Sequence, residues 1–210
     1  MAGSRKAGPT GCNGHNDNIQ DGTLCRQASP RPGPLGTAPP ISSTAAAPKK
    51  LTISGVVVAG GPLNDATIDL VNEAAKSIRK NRRYVAYDTI VKVGGSLAWR
   101  ANNPGNLRGA STKIGTVPGA VGKFAVFATM ADGRAAQKSL YKNTYGSMTV
   151  RDAVPHLTPP EENDTVAYLK RLKAAGIDLD QDVKSQIDAL MIAIEANEGM
   201  IAGTEVTRAP

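Results

Sequence analysis

A mostly helical α+β domain behind a disordered leader is the fold class this sequence predicts, and three observations lead there. From residue 130 onward apolar residues recur at helical spacing. Between residues 112 and 127 two short runs of alternating character flank Pro118-Gly119, the mark of a small β-hairpin. Residues 1–50 are rich in Gly, Pro, Ser, Ala and Asn without any apolar period. Such a segment buries too little surface to offset its ordering entropy and reads as a flexible leader. The remainder has room for one domain of about 150 residues. With only 4% aromatic residues its core is lean.

Taken in order, residues 51–58 read as one short strand, stopped by Gly60-Gly61-Pro62, so 51–61 form a strand and linker. Asn64 can cap a helix over about 65–80, in which Ile68, Val71, Ala75 and Ile78 recur on one side. Its basic end, from Lys76 to Arg83, complements the helix dipole. A second helix is expected over 83–93, ended by Gly94-Gly95, and then a turn-rich, Asn-rich loop. Strands over 112–117 and 123–127 place Phe124 and Val126 on one face, Ala125 and Phe127 on the other. Helices follow over about 130–143, from Thr149 to a stop at Pro155, over 164–175 with Asn163 or Asp164 as cap, and over 181–198. In the last, Val183, Ile187, Leu190 and Ile194 form a stripe. The expected domain spans 62–203, with 204–210 as a C-terminal tail.

The formal charge is +7, of which the first fifty residues supply +4 through six Lys/Arg against two Asp. The folded part is therefore only mildly basic. That suits an anionic polymer without selecting cell-wall glycan over nucleic acid. No apolar run approaches the roughly 18 residues of a membrane span. Arg5 and Lys6 are followed by Gly, Pro, Asn and Asp, not by the apolar stretch of a signal peptide. The expectation is synthesis in the cytoplasm and no membrane insertion, so that work outside the cytoplasm calls for a route other than general secretion. Cys12 and Cys25 both lie in the leader; with His15 they lack a fourth ligand and a frame, so no metal and no cofactor is expected.

Two stretches could carry chemistry. Residues 96–109 hold the only Trp of the chain, three Asn, a Pro-Gly pair and two Arg. Turn chemistry makes this an ordered loop, and paired guanidinium groups beside an aromatic suit a sugar, carboxylate or phosphate. A turn with Trp99 buried as a packing anchor is the plainer alternative. The second stretch is the end of the last helix, where the stripe steps from Ile194 to Glu198 and Gly199 supplies the stop. Partial burial disfavours the anion, and the helix C-terminus is the negative pole, so this carboxyl is expected to hold a proton for a glycosidic oxygen. A glutamate turned to water at a frayed end is the competing reading. Glu195 falls off the stripe and reads as solvated. Asp88, expected in mid-helix near Tyr84 and Tyr87, and Glu162, at a helix start, are secondary acid candidates. Glu161, Glu162 and Asp164 are equally explained as helix-start carboxylates. His156 has no partner at a suggestive spacing, and no phosphate loop, nucleophile elbow or zinc signature occurs.

Trp-Arg-Ala-Asn-Asn-Pro-Gly-Asn-Leu-Arg (99–108), Gly-Lys-Phe-Ala-Val-Phe (122–127), Pro-Pro-Glu-Glu-Asn-Asp-Thr-Val-Ala-Tyr (159–168) and a final helix ending Glu198-Gly199 occur in one order. That series, over about residues 83–200, resembles a family of phage virion-associated proteins and related bacterial proteins with an Asn-Asn-Pro-Gly-Asn-Leu/Ile-Arg loop. The resemblance implies a lysozyme-like domain that cleaves peptidoglycan, with relatives among effectors of contractile (type VI) secretion systems. It thereby implies an immunity protein, or a secretion or virion component, as partner. Lysozyme-like enzymes usually place the acid at a helix end followed by Gly, just before the substrate loop. Val93-Gly94-Gly95 stands there in this chain, so the role falls to Glu198. Asn102, Asn103 and Asn106 would bind N-acetyl and hydroxyl groups. Arg100 and Arg108 would meet stem carboxylates, and Trp99 would edge the groove. Hydrolytic and lytic-transglycosylase cleavage both stay open. The rivals are a wall-binding structural protein of a virion or secretion apparatus, and a nucleic-acid-binding protein using Trp99 and the basic 76–83 segment.

Overall fold

The computed structural model describes residues 47–161 and 163–210. Most of the leader, with Cys12, His15 and Cys25, and the candidate Glu162 lie outside the described residues. The chain builds a mixed α/β structure: β1 (Ser54–Val57), α1 (Asp65–Lys76), β2 (Arg83–Ala86), β3 (Ile90–Val93), the one-turn α2 (Leu97–Arg100), β4 (Gly115–Pro118) and β5 (Lys123–Val126). After these come α3 (Met130–Thr144), α4 (Val150–Leu157), α5 (Thr165–Ala174), a 3-10 turn (Val183–Gln186), α6 (Ile187–Glu198) and β6 (Thr204–Thr207).

Local chemistry sets most boundaries. Asn64 accepts from Thr67 N at the start of α1. Thr129 and Asp132 form a reciprocal capping box on α3, Thr149 caps α4 and Asp164 caps α5. Gly199, at φ 63°, ends α6 in the left-handed conformation that a side chain would disfavour. Pro155 does not stop α4. It sits inside the last turn, and the helix runs on to Leu157.

The expected helix over 83–93 is instead a strand pair. Tyr84 and Ala86 face one cluster with Val91 and Val93, while Val85 and Tyr87 face another. That is a period of two in a stretch rich in aromatic and β-branched residues, turning at Asp88-Thr89. Both faces are buried, so no polar alternation betrays the strand.

These strands centre a four-stranded sheet ordered β1-β2-β3-β6. β1 runs parallel to β2 (Val56 opposite Val85), and β2–β3 and β3–β6 are antiparallel. The strand expected over 51–58 and the stretch assigned to the C-terminal tail are thus both edge strands. Arg208 ties them together, donating to the carbonyls of Ala59, Gly61, Pro62 and Tyr87 at 2.8–3.0 Å. The structure also reaches slightly into the expected leader: Asn72 of α1 donates to Lys50 O (2.9 Å) and accepts from Thr52 N (2.8 Å).

α1 packs on one face of the sheet, and the β4–β5 hairpin on the other. The hairpin's far face, Ala125 and Phe127 with Leu107, meets Ala136 and Leu140 of α3. A separate helical core gathers Tyr141, Val150, Val154, Tyr168, Leu172, Leu190 and Ile194 from α3–α6. At Gly133 of α3 an added Cβ would lie 1.9 Å from Asn102 O, so helix and loop backbone touch. Gly133→Ala is expected to cost about 1–3 kcal/mol through overpacking, read as a lowered melting temperature. No described helix is long and apolar enough to cross a membrane.

Candidate functional site

The Asn-rich loop is locked from within. Ser96 caps α2 through Trp99 N (3.3 Å) and also accepts from Ile201 N (3.1 Å), fastening the segment after α6 to the start of the loop. Asn102 and Asn106 take left-handed backbone (φ 52° and 48°), which Asn tolerates better than most side chains. Asn102 donates to Phe127 O (3.0 Å) and Ala128 O (2.9 Å) and accepts from Lys92 Nζ (2.7 Å). Asn103 accepts from Leu107 N (2.8 Å) and donates to Leu107 O and Ala125 O, both at 2.9 Å. Both amides are buried, so they stitch the loop to the hairpin and do not face a ligand. Arg100 is buried too, donating to Gly94 O and Gly95 O at 2.8 and 2.5 Å. Burial and neighbouring Arg83 lower its pKa. Of the three Asn and two Arg expected to bind substrate, these three residues are framework.

Trp99 packs under Lys92, whose ammonium lies 4.7 Å from the ring centroid. Lys92 is itself nearly buried, 3.5 Å from Glu205 across the β3–β6 pair, and burial lowers its pKa. Trp99 is not a wall of the cleft described below. Saturating the protein with chitin oligosaccharide, checked independently by calorimetry, is therefore expected to leave indole emission nearly unchanged. A shift or quench would put Trp99 back at the groove edge.

Asn106 points the other way. Its Nδ2 donates to Glu198 Oε2 at 2.6 Å, and Tyr168 OH donates to Glu198 Oε1 at 3.2 Å. Burial, then the adjacent Glu198, raises the Tyr168 pKa, so its hydroxyl remains a neutral donor. Tyr141, whose pKa burial also raises, accepts from Gln137 Nε2 at 3.2 Å and lies along the same wall. The carboxylate thus sits in a polar clasp and not at a bare apolar helix end. Asn106 Oδ1 is buried with no hydrogen-bond partner among the described residues.

Glu198 opens on a cleft of about 450 Å³ between the 105–109 loop, Phe124, α3, the α4–α5 connection and α6. Sites for small ligands run roughly 300–1,000 Å³. On one wall the exposed Arg108 lies over Phe124, 5.0 Å from the ring centroid, and donates to Val121 O at 2.7 Å. On another, His156 stacks on Tyr145 with centroids 6.2 Å apart, near Asn163. Tyr145 is not singled out by the sequence, His156 is set aside there for want of a partner and Asn163 reads as a possible helix cap; only the fold brings them to the Glu198 cleft. Tyr168 carried a readable signal, since a tyrosine on the inward face of a helix needs a partner for its hydroxyl.

The other carboxylates lie elsewhere. Asp88 is exposed in the β2–β3 turn, not in a helix, and does not line the cleft. Glu195 is not solvated. Arg134 of α3 grips it with Nε–Oε1 at 3.0 Å and Nη2–Oε2 at 2.9 Å. Glu198 is the one carboxylate among the described residues lining the cleft. Among the described residues no group of His, Cys, Asp and Glu is arranged to hold a metal ion. Comparison with protein-family models and with curated proteins found no match.

Proposed function

We propose that this protein is a lysozyme-like enzyme that cleaves the glycan strand of peptidoglycan, with Glu198 as general acid. One observation carries the reading: three separate sequence blocks, through Asn106, Phe124 and Tyr168, converge on the cleft that holds the Glu198 carboxyl. Asn106 and Tyr168 fix the orientation of that carboxyl in a sugar-sized cleft, and a positioned carboxyl is what glycosidic cleavage requires.

In the proposed reaction the Glu198 proton passes to the leaving glycosidic oxygen as the C1–O bond breaks. The oxocarbenium-like centre is then captured by an oxygen nucleophile whose proton returns to Glu198. Water gives a reducing end, and the sugar's own C6 hydroxyl gives an anhydro end. Asn106 and Tyr168 orient the carboxyl. Asn106 Oδ1 accepts from an N-acetyl N–H or a hydroxyl, and Arg108 meets the acidic peptide stem. The site works on the bacterial wall, reached through a secretion system or virion, with an immunity protein or a component of that apparatus as partner.

A wall-binding module that does not cut is the second reading, favoured by the lack of another carboxylate among the described residues lining the cleft. Mass spectrometry of purified sacculi after incubation separates the two. New reducing or anhydro ends are the expected result, whereas intact strands with bound protein would leave only the binding reading.

A further inference from the structure

A second hollow of about 370 Å³ lies between residues 109–112 and the exposed side of α3. It shares Gly109 and Leu140 with the Glu198 cleft, so the two lie side by side. The junction is open: a Cβ added at Gly109 would meet nothing within 4 Å. Alanines, among them Ala135, form part of the hollow's lining, and Ser111, Thr112, Ser139 and Asn143 add hydroxyls and an amide. Asn143 Nδ2 donates to Ser139 Oγ at 3.1 Å, which holds the amide along the helix. From Ala135 to Asn143 the helix advances roughly 12 Å, the span of about two pyranose units.

The charge of this hollow differs from that of the cleft. Among the described residues no Lys or Arg lines it, and the one ionisable residue in its lining is Asp132. Asp132 Oδ2 is taken by Thr129 N (3.0 Å) and Oγ1 (2.7 Å) in the capping box, so its position is fixed. A fixed carboxylate without a cation disfavours an acidic peptide stem. Small apolar patches edged by hydroxyls and an amide suit the apolar face and the hydroxyls of a neutral sugar.

Resting on the glycan-cleaving reading, we propose that the 109–112/α3 hollow is an outer subsite for uncharged N-acetylated sugars of the same strand. Recognition then extends beyond the Glu198 cleft, and affinity grows with strand length.

The test measures binding of thio-linked, uncleavable β-1,4 N-acetylglucosamine oligomers of two and six units to the full chain. Two variants confined to the hollow, Ala135→Tyr and Asn143→Ala, are measured beside it. Neither residue lines the Glu198 cleft, and both are exposed. The hexamer is expected to bind on the order of tenfold tighter than the dimer. Ala135→Tyr should bring the two Kd values together while leaving the dimer's unchanged, and Asn143→Ala should shrink the gap in part. Should Ala135→Tyr melt early, Asn143→Ala decides alone. Equal dimer and hexamer affinities in the unaltered chain, or a gap that the deciding variant leaves undiminished, overturns the outer subsite and leaves the cleft reading standing. Binding of neither oligomer overturns the glycan reading and this subsite together.

Discussion

Glu198→Gln is expected to abolish release of new glycan ends from sacculi while the protein still folds and binds oligosaccharide. Gln keeps the shape of the side chain and can still accept from Asn106 Nδ2 or Tyr168 OH, but it has no proton to give to a leaving oxygen. Loss of a general acid lowers rates by about 10²–10⁴-fold. Asp88→Asn is the matching control, because Asp88 is an exposed turn residue away from the cleft and its loss should leave the rate unchanged. Glu195→Gln would be a poor control. It breaks the two-point contact with Arg134 that joins α3 to α6, and could move Glu198 indirectly. Equal melting temperatures for Glu198→Gln and the unaltered chain make the comparison one of chemistry. Near-normal lysis by Glu198→Gln would remove Glu198 from the role of acid.

Tyr168→Phe examines the same clasp more gently. It removes one donor to Glu198 and leaves the ring packed in the helical core. A hydrogen bond to a charged group contributes about 1.5–3 kcal/mol. A rate loss of roughly ten- to a hundredfold is therefore expected, smaller than that of Glu198→Gln. A rate equal to that of the unaltered chain would show that the Tyr168 contact does not orient the carboxyl.

The parts of the fold that local chemistry decides were legible in the sequence. Asn64, Thr149 and Gly199 act at the helix ends where their residue types predict, and the Pro118-Gly119 hairpin divides Phe124/Val126 from Ala125/Phe127 as alternation requires. What failed was decided by tertiary burial. The 83–93 stretch lost its polar alternation because α1 covers one face and the hairpin the other. β6 was hidden because a four-residue edge strand, Thr-Glu-Val-Thr, buries only Val206.

The candidate site divides in the same way. The helix-end geometry of Glu198 followed from the stripe and the glycine. The division of labour among the asparagines did not, because an amide serves the backbone and a ligand equally well until the fold sets its direction. Left-handed backbone at Asn102 and Asn106 turns the loop so that residues 102 and 103 point into the protein and residue 106 reaches Glu198. Of the residues expected to bind sugar through Asn and Arg side chains, only Asn106 and Arg108 line the cleft, where Tyr145, His156, Asn163 and Tyr168 stand beside them from distant helices and loops.

Asn103 is where that framework is most exposed to a single change. Its amide accepts from Leu107 N and donates to Leu107 O and Ala125 O, all within 2.9 Å and almost wholly buried. Asn103→Ala deletes all three bonds and removes the side-chain acceptor from the buried Leu107 N–H. Groups left unpaired in a dry site cost about 1–3 kcal/mol each, and partial relaxation gives an expected loss of about 2–4 kcal/mol. For a domain of this size that is a fall of roughly 5–15 °C in melting temperature. Activity should fall further than stability alone explains, because Asn103 sets the turn that aims Asn106 at Glu198. Asn103→Asp sharpens the test. It restores the acceptor for Leu107 N, yet it aims a carboxylate oxygen at the Leu107 and Ala125 carbonyls in place of a donor. Buried repulsion of that kind should make it at least as destabilising as Ala. A near-normal melting temperature for either variant would show that the loop is held by its backbone turns and by Asn102, not by Asn103.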